Sequence, residues 1–382
     1  MAGAWSPVAG SGPARVSGLE ARRGPDAGTG RGKNSGTNRR RHRRRGFALM
    51  SRPAGDIGRQ LFIGFPGTEL SAGLDHLIRA VAPGGIVLFQ RNVESAPRVR
   101  DLLDQAQALA GEHLGRGLWV AIDQEGGRVQ RLRGLFEPLP AARELAAAGP
   151  GAVAQYAGLA ADQLRSLGIH INFAPVLDLA TEPGIGFLQD RCLAADPEDV
   201  ALLGQIWIRT LQDRGISATA KHFPGLGLAA LDPHHHLPVL ETYREAQMPP
   251  HLIPFERAVA AGVHAVMSSH ALYPFWDPDH PATLAATVGR DLLRRRMGFT
   301  GAYLSDDLDM AAIRRRYSDA EVARLGLAAG LDAFLLCQDP EHCEPFLKAL
   351  ADAVKSDGRL AAHHQAAIAR LERSFGFHRQ RR

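Results

Sequence analysis

The sequence predicts a single (β/α)8 barrel of the TIM type over residues 51–382, preceded by a basic N-terminal tail, residues 1–50. Short aliphatic runs alternate with longer amphipathic stretches through residues 51–382, which is the pattern of strand–helix repeats around a parallel sheet. These runs are apolar throughout, as is typical of strands buried on both faces. Charged side chains follow several of the runs, as in barrels that carry their functional groups on the loops beyond the strand C-termini. An open, doubly wound sheet is the alternative architecture.

Eight runs qualify as strands. In chain order they are residues 61–65, 85–89, 118–122, 169–175, 216–220, 265–268, 301–305 and 333–337. Helical periodicity is clearest over residues 153–167, 197–214 and 252–261, and it returns over residues 346–371 after the last strand. Eight strand–helix units of this length favour a closed barrel.

The first 50 residues differ in composition from the rest. Eleven Lys or Arg and two acids give them a formal charge of +9, so residues 51–382 carry −4 of the total of +5. The tail is rich in Gly, Ala, Ser and Arg without apolar periodicity, so it cannot bury enough surface to offset the entropy of ordering. We interpret it as a disordered arm, or as upstream sequence that is not translated, with Met50 as the start. The alternative is contact between residues 39–45 and nucleic acid or anionic lipid; contact with nucleic acid would be non-specific and salt-sensitive.

No stretch of the sequence approaches the roughly 18 apolar residues of a membrane helix. The three cysteines, Cys192, Cys337 and Cys343, are odd in number and lack metal-ligand spacing, which argues against a disulfide framework. We expect a cytoplasmic, monomeric protein that uses no cofactor and no metal and has no membrane or specific nucleic-acid partner.

Ionisable residues cluster at one end of the predicted units. In strand order they are Asp123, Glu125, Arg128 and Arg131, then Asp178, then Lys221 and His222, then His270, and finally Asp306 and Asp307. Structural caps alone would not require so many Asp, Arg, Lys and His side chains at one rim. The pattern therefore indicates a functional site at the C-terminal end of the barrel.

The most informative segment is residues 221–227, KHFPGLG, followed closely by Asp232 and His234. It places a cation, an imidazole, a turn rich in Pro and Gly and an Asp/His pair just past the predicted strand 216–220. Polar groups in such a position suit a binding site on a rigid frame.

Four motifs in this order resemble the bacterial β-N-acetylhexosaminidases of glycoside hydrolase family 3, the single-domain type that recycles peptidoglycan. They are residues 123–131 (DQEGGRVQR), Arg191 ahead of residues 195–197 (ADP), residues 221–227 with Asp232 and His234, and residues 305–308 (SDDL). The resemblance runs from about residue 63 to residue 336, nearly the whole predicted barrel.

The resemblance implies a role for each matching residue. Asp306 would be the nucleophile that forms a glycosyl-enzyme, and His234 the general acid and then base, oriented by Asp232. The residues that would bind the hydroxyls of a terminal N-acetylglucosamine are Asp123, Arg131, Arg191, Lys221 and His222. The implied substrate is an anhydro-muropeptide, and the implied process is peptidoglycan recycling, with its links to cell-wall biogenesis, cell shape and cell division.

The chemistry of these residue types agrees with those roles. A retaining glycosidase needs an anionic nucleophile and a second group that gives and later takes a proton. An imidazole with a pKa of about 6.5 can do both near neutrality. Larger family relatives take their acid from a second domain, for which residues 338–382 are too few, so we expect the proton donor on a barrel loop.

The sequence departs from the family pattern at two positions. Leu226 stands where the motif has its second histidine, and Pro233 replaces a serine between Asp232 and His234. Neither position is assigned to chemistry. Because proline restricts its own φ and the conformation of the preceding residue, we expect a stiffer loop.

Other ionisable residues in the motifs have competing interpretations. Asp307 is assigned to capping a helix, Asp178 to structural hydrogen bonding and His270 to packing. Glu125 is the rival to His234 as the acid. Residues 126–127, a Gly pair, are interpreted as a tight turn.

Two further functions remain open at this stage. The first is a metal-dependent hydrolase on the same barrel, because imidazoles and a carboxylate on a rim can form a zinc site. The residues concerned are His222, His234, His235, His236, His270 and Asp306. The second is a family relative that acts on other β-glycosides.

Overall fold

The computed structural model describes residues 56–376, so the expectation of a disordered tail lies outside the described residues. Within residues 56–376, eight parallel strands close into one barrel. The strands are β1 Leu61–Ile63, β2 Gly85–Leu88, β3 Trp119–Ile122, β4 Ile171–Asn172, β5 Ser217–Phe223, β6 Ala265–Ser268, β7 Ala302–Asp307 and β8 Ala333–Leu336. Each strand pairs with its neighbours in sequence, and β8 closes on β1 with Leu335 opposite Phe62. The predicted barrel is confirmed, and the open sheet is wrong.

Helices surround the barrel. They are α1 Ala72–Val81, α2 Ala96–Leu114, α3 Ala142–Ala148, α4 Pro150–Leu167, α5 Ile185–Leu188, α6 Pro197–Asp213, α7 Pro249–Ala260, α8 Ala311–Arg314, α9 Asp319–Ala329, α10 Cys343–Ser356 and α11 Gly358–Phe375. A π-helix, Thr287–Arg296, stands between β6 and β7, and a hairpin of Gln124–Gly126 with Val129–Gln130 follows β3. Within residues 56–376, no helix is both long and apolar enough to cross a membrane.

Local sequence explains where helices begin. Pro197 opens α6, and the Asp196 carboxylate accepts hydrogen bonds from the backbone amides of Glu198 and Asp199 at 2.9 and 3.1 Å, which satisfies amides that have no partner inside the helix. The helical character predicted over residues 346–371 is confirmed, and the stretch forms two helices. Asp357 has an extended backbone and caps α11 by accepting from the Arg359 amide at 2.7 Å, so the stretch divides into α10 and α11.

The C-terminal helix closes the N-terminal end of the barrel. The ring of Phe375, in the last turn of α11, lies 6.1 Å from that of Phe62 and 5.6 Å from that of Trp119, both in edge-on contact. Phe62 and Trp119 belong to an apolar cluster that fills the barrel interior. Because one end is packed with aromatic rings, the ligand-accessible end is the one where the strands finish.

Several histidines are built into the fold rather than exposed to solvent. Burial disfavours the imidazolium and lowers the pKa of five of them from the usual value: His251, His264, His270, His363 and His364. His251, in the first turn of α7, is 5% exposed, and its Nδ1 has no hydrogen-bond partner within residues 56–376.

Because the pKa values of these histidines are lowered by folding, we predict that the free energy of unfolding falls on mild acidification. A histidine whose folded pKa is below its unfolded pKa of about 6.5 binds its proton more readily in the unfolded chain, so stability is lost as pH falls below about 6.5. We expect urea unfolding to show a lower free energy at about pH 5 than at about pH 7. His251→Gln should reduce this difference, because one of the groups that titrates has been removed. An identical pH dependence in the parent and in His251→Gln would contradict the lowered pKa of His251.

Candidate active site

The fifth strand runs further than predicted and carries two of the expected site residues within it. Lys221 and His222 were expected just beyond the strand, but β5 continues to Phe223, which is opposite Ser268 of β6. Lys221 is also bridged to Val176 after β4. Both side chains are buried, Lys221 at 2% and His222 at 5% exposure. They therefore point into the C-terminal end of the barrel from a strand, which is more rigid than a loop.

A buried ionic network joins the ends of β3 and β5. The Lys221 ammonium lies 2.8 Å from Asp123 Oδ1 and 2.6 Å from Glu125 Oε1. Arg191, from a short 3-10 turn after α5, donates to both oxygens of Glu125 at 2.8 and 2.9 Å. Four charged residues from three of the sequence motifs are thus brought into contact, with Glu125 at the centre.

This network keeps Glu125 ionised. Burial alone would raise its pKa, but the charges of Arg191 and Lys221 and their hydrogen bonds outweigh burial and hold the pKa of Glu125 well below its usual range. Burial would likewise lower the pKa of Lys221, but Asp123 and Glu125 raise it. A carboxylate held in this way is a poor proton donor near neutrality, which argues against Glu125 as the general acid.

Asp178 organises the loop after β5 through hydrogen bonds, so its predicted structural role is confirmed. It is fully buried and accepts from His222 Nδ1 at 2.7 Å and from the Leu226 amide at 2.7 Å. The other ring nitrogen of His222, Nε2, therefore faces the site and lies 3.5 Å from Arg191 Nη2. Leu226 is 2% exposed and joins the hydrophobic core, so this departure from the motif places an apolar side chain inside the protein while its backbone bond to Asp178 fixes the loop.

The Gly pair after β3 forms the predicted tight turn. Gly126 and Gly127 have φ of +101° and +52°, a region that side chains disfavour. A Cβ on Gly126 would also lie 2.3 Å from the carbonyl oxygen of Pro140. The turn folds the hairpin back so that the Arg131 amide donates to Gln124 Oε1 at 3.0 Å.

Arg131 is held loosely compared with its neighbours. Its Nη2 lies 3.5 Å from Asp123 Oδ2, and its guanidinium carbon lies 5.5 Å from the centroid of the Phe89 ring. The Nε atom of Arg131 has no hydrogen-bond partner within residues 56–376. Although Nε is buried, 28% of the Arg131 side chain is exposed, so part of this side chain is accessible to a ligand.

Asp306 lies near the end of β7 and is half-buried at the open end of the barrel. Its Oδ1 accepts from the Asp307 amide at 2.8 Å. Burial would raise the pKa of Asp306, but the imidazoles of His222, His270 and His234, together with that amide, lower it from its usual value. The carboxylate is therefore ionised and accessible, as a nucleophile must be.

The assignment of Asp307 as a helix cap is wrong. Its Oδ1 accepts from the amides of Asp309 and Cys337 at 3.1 and 3.0 Å, whereas α8 begins after Met310 without a side-chain cap. Asp307 instead ties the loop after β7 to the end of β8. The sequence contains no local signal for this, because Cys337 is 30 residues away.

His270 is buried and hydrogen-bonded, which agrees with its interpretation as a satisfied packing residue. It is fully buried, its Nε2 donates to the Asp307 carbonyl at 3.0 Å, and its Nδ1 lies 2.7 Å from Thr283 Oγ1. Burial lowers its pKa, and the Thr283 hydroxyl that contacts Nδ1 donates its own proton to the Ser269 carbonyl at 2.8 Å. Sequence patterns give no means of finding this contact.

Asp232 and His234 lie on the long loop between β5 and α7. Asp232 Oδ1 accepts from the His234 amide at 2.9 Å and from its Nδ1 at 2.6 Å, and 60% of the His234 side chain is exposed. Asp232 and His234 are two residues apart in the sequence, with Pro233 between them. Burial would raise the pKa of Asp232, but the amide, ring and charge of His234 lower it.

The loop is anchored on both sides of this pair. Before it, the Gly227 carbonyl accepts from the Gly184 amide at 3.0 Å. After it, the Leu240 amide donates to the Leu272 carbonyl at 3.0 Å. The segment between the anchors carries the exposed His234 imidazole, which is one of the groups that lower the pKa of Asp306. Within residues 56–376, no group of three or more His, Cys, Asp or Glu residues is arranged to hold a metal ion.

Comparison with known proteins supplies a family context for this site. The model of the glycosyl hydrolase family 3 N-terminal domain matches residues 60–373. Among curated proteins, a β-hexosaminidase of Alkalilimnicola ehrlichii is 37% identical over 313 residues, which is 80% of this chain and 88% of that protein. A β-hexosaminidase of Pseudomonas aeruginosa is 37% identical over 297 residues, 76% of this chain and 86% of that protein.

Solved structures of the same family are also similar to this chain. A family 3 β-N-acetylglucosaminidase from Paenibacillus superposes with a TM-score of 0.79 at 35% identity; the match covers 85% of this chain but 63% of that one. A structure of NagZ from Neisseria gonorrhoeae in complex with N-trifluoroacetyl-D-glucosamine superposes with a TM-score of 0.69 at 28% identity, covering 83% of this chain and 97% of that one.

Proposed function

The chain belongs to glycosyl hydrolase family 3 and is a β-hexosaminidase, and on that premise we propose how it works. It removes terminal, non-reducing, β-linked N-acetylglucosamine with retention of configuration. Asp306 is the nucleophile, and His234, oriented by Asp232, is the general acid and base.

One observation carries this proposal. Of the two acids considered for protonating the leaving group, Glu125 is buried and paired with Arg191 and Lys221, whereas the His234 imidazole is exposed and bonded to a carboxylate. A group that exchanges protons with substrate and water needs an accessible atom and a pKa near the working pH. The imidazole is accessible, whereas Glu125 is buried and its pKa is held well below the usual range.

In the first step, an Asp306 carboxylate oxygen attacks the anomeric carbon and the bond to the leaving oxygen breaks. The Nε2–H of His234 donates its proton to that oxygen, while Asp232 holds Nδ1 and stabilises the charged ring. The products are a glycosyl ester on Asp306, the free aglycone and a neutral imidazole.

In the second step, the same Nε2 takes a proton from a water molecule. The resulting hydroxide equivalent attacks the anomeric carbon from the face that the aglycone left, and the ester bond to Asp306 breaks. Two inversions give net retention. The carboxylate and the imidazolium are both regenerated, so protons and charges balance over the cycle.

The rim residues bind the sugar. Ion pairs among Asp123, Glu125, Arg131, Arg191 and Lys221 hold several of these residues rigid before a substrate arrives, and His222 lies next to Arg191. Preorganised donors and acceptors suit fixed recognition of hydroxyl groups. His222 Nε2 and the exposed part of the Arg131 side chain are best placed to meet a ligand.

The natural substrate that we propose is a muropeptide fragment with terminal N-acetylglucosamine, cleaved in the cytoplasm during peptidoglycan recycling. Two points support it: the resemblance of the four motifs to that branch of the family and the similarity to curated β-hexosaminidases. The second candidate function is hydrolysis of other β-glycosides, as in a relative within the same family.

Hydrolysis of a panel of aryl β-glycosides tests the substrate class. The purified chain should prefer the N-acetylglucosaminide over the glucoside and the xyloside. Preference for the glucoside would overturn the assignment of the sugar while leaving the fold intact. Activity that survives EDTA would also dispose of the metal-dependent alternative.

Substitution of Arg131 gives the cleanest test of sugar binding. Arg131→Ala should lower kcat/KM by roughly tenfold to a hundredfold with unchanged thermal stability, because contacts to sugar hydroxyls strengthen in the transition state. Arg191→Ala and Lys221→Ala should lower kcat/KM and also the stability, because each leaves the buried Glu125 charge with one partner fewer. Parent-like kinetics in all three variants would show that the rim does not bind substrate.

A further inference from the structure

Phe89 follows β2 at the open end of the barrel and is fixed through its backbone. Its amide donates to Asn92 Oδ1 at 2.9 Å. The amide group of Asn92 donates in turn to the carbonyls of Phe65 and Gly67 at 3.0 and 2.7 Å. Asn92 is fully buried, so Phe89 is fastened to the loop after β1.

The Phe89 ring is also fixed. The guanidinium carbon of Arg91 lies 4.5 Å from the ring centroid. Arg91 itself is held in place because its Nε donates to the Phe65 carbonyl at 2.9 Å and its Nη2 donates to the Cys337 carbonyl. These bonds join the ends of β1 and β8 to the ring.

A second guanidinium rests against the same ring. That of Arg131 lies 5.5 Å from the Phe89 centroid, and its ion pair with Asp123 spans 3.5 Å. Two other cations of the site are held much more closely: Lys221 by Asp123 and Glu125, and Arg191 by both oxygens of Glu125. In the described part of the chain, the guanidinium of Arg131 is thus supported by the ring and by Asp123.

We propose that Phe89 is a positioning residue that holds the Arg131 guanidinium in its sugar-binding orientation. The proposal rests on the proposed role of Arg131. The negative face of an aromatic ring attracts a guanidinium and restricts a long, flexible side chain. With Phe89 in place, less conformational freedom is lost when the substrate binds.

A double-mutant cycle tests this coupling. Phe89→Leu removes the aromatic ring while keeping an apolar side chain, and we expect kcat/KM for p-nitrophenyl N-acetyl-β-glucosaminide to fall about three- to tenfold, the effect of one cation–π contact. Phe89→Tyr keeps the ring and should restore parent kinetics. In the Arg131→Ala background, Phe89→Leu should have no further effect.

Phe65→Leu is the matched control. Phe65 is a fully buried aromatic residue at the same end of the barrel, and its ring has no cation against it within residues 56–376. Its effect on kcat/KM should be the same in the parent background and in the Arg131→Ala background. If Phe89→Leu does not fold, Phe89→Met takes its place in the cycle.

The outcomes separate this proposal from the one on which it rests. An equal loss from Phe89→Leu in both backgrounds, with Arg131→Ala itself impaired, would overturn the positioning role alone. Parent-like kinetics in Arg131→Ala would overturn the sugar contact of Arg131 and, with it, the role of Phe89. A loss confined to the parent background, together with rescue by tyrosine, would support both.

Discussion

Replacing Asp306 with Asn or Ala is expected to lower kcat by roughly four orders of magnitude or more. Without the carboxylate, no covalent glycosyl-enzyme can form. The carboxylate is half-buried at the open end of the barrel, and imidazoles around it lower its pKa, so the native enzyme has it ionised and ready. Steady-state kinetics with an aryl N-acetylglucosaminide measure the loss.

The fold should survive this change. The Asp306 side chain accepts one local hydrogen bond, from the amide of the next residue, and Asn can keep it. Thermal unfolding of Asp306→Asn should therefore match the parent. Asp307→Asn is the matched control, because Asp307 ties the end of β7 to Cys337 and Gln338. The main effect of Asp307→Asn should be a lower thermal stability rather than a loss of turnover. A greater loss of kcat in Asp307→Asn than in Asp306→Asn, at unchanged stability, would show that the wrong neighbour was named.

His234→Ala should impair the enzyme by an amount that depends on the leaving group. General acid catalysis contributes roughly a hundredfold to ten-thousandfold, and that contribution matters most when the leaving oxygen is basic. An activated nitrophenyl glycoside leaves with little protonation, whereas an alkyl or sugar aglycone needs a proton. The slope of log kcat/KM against leaving-group pKa should therefore be steeper in His234→Ala than in the parent.

Two other variants serve as controls for that slope. Asp232→Ala should show a smaller version of the same pattern, because Asp232 orients the ring at 2.6 Å. Glu125→Gln should lose activity by a similar factor for every leaving group, since it disturbs Arg191 and Lys221 rather than proton transfer. A uniform loss in His234→Ala with a steep slope in Glu125→Gln would assign the acid to Glu125 instead.

Much of the fold could be predicted because its signals are local. Each of the eight strands lies where an apolar run was found, since burial on both faces leaves a continuous aliphatic pattern. The division of residues 346–371 into two helices could not be predicted, because amphipathic periodicity continues across Asp357, where a single extended, capping residue separates the helices. The end of β5 was missed for a related reason: charged Lys221 does not resemble a buried strand residue until its partners are known.

For the candidate site, the sequence indicated which residues gather at the rim but not how they contact one another. Glu125 and Arg191 are 66 residues apart, and Asp178 and His222 are 44 apart. Such pairings follow from barrel closure, which no local pattern specifies. The ionic contacts of Glu125, the contact of Arg131 with the Phe89 ring and the contact of His270 with the Asp307 carbonyl became visible only in three dimensions.

Trapping the covalent intermediate tests the central claim most directly. A fluorosugar inactivator based on N-acetylglucosamine should form a stable adduct, most readily in His234→Ala, where base-assisted hydrolysis of the ester is slowed. Proteolysis and mass spectrometry should place the added sugar on the peptide that contains Asp306 and on that carboxylate. An adduct on another residue, or no adduct together with a first product of inverted anomeric configuration, would contradict the mechanism.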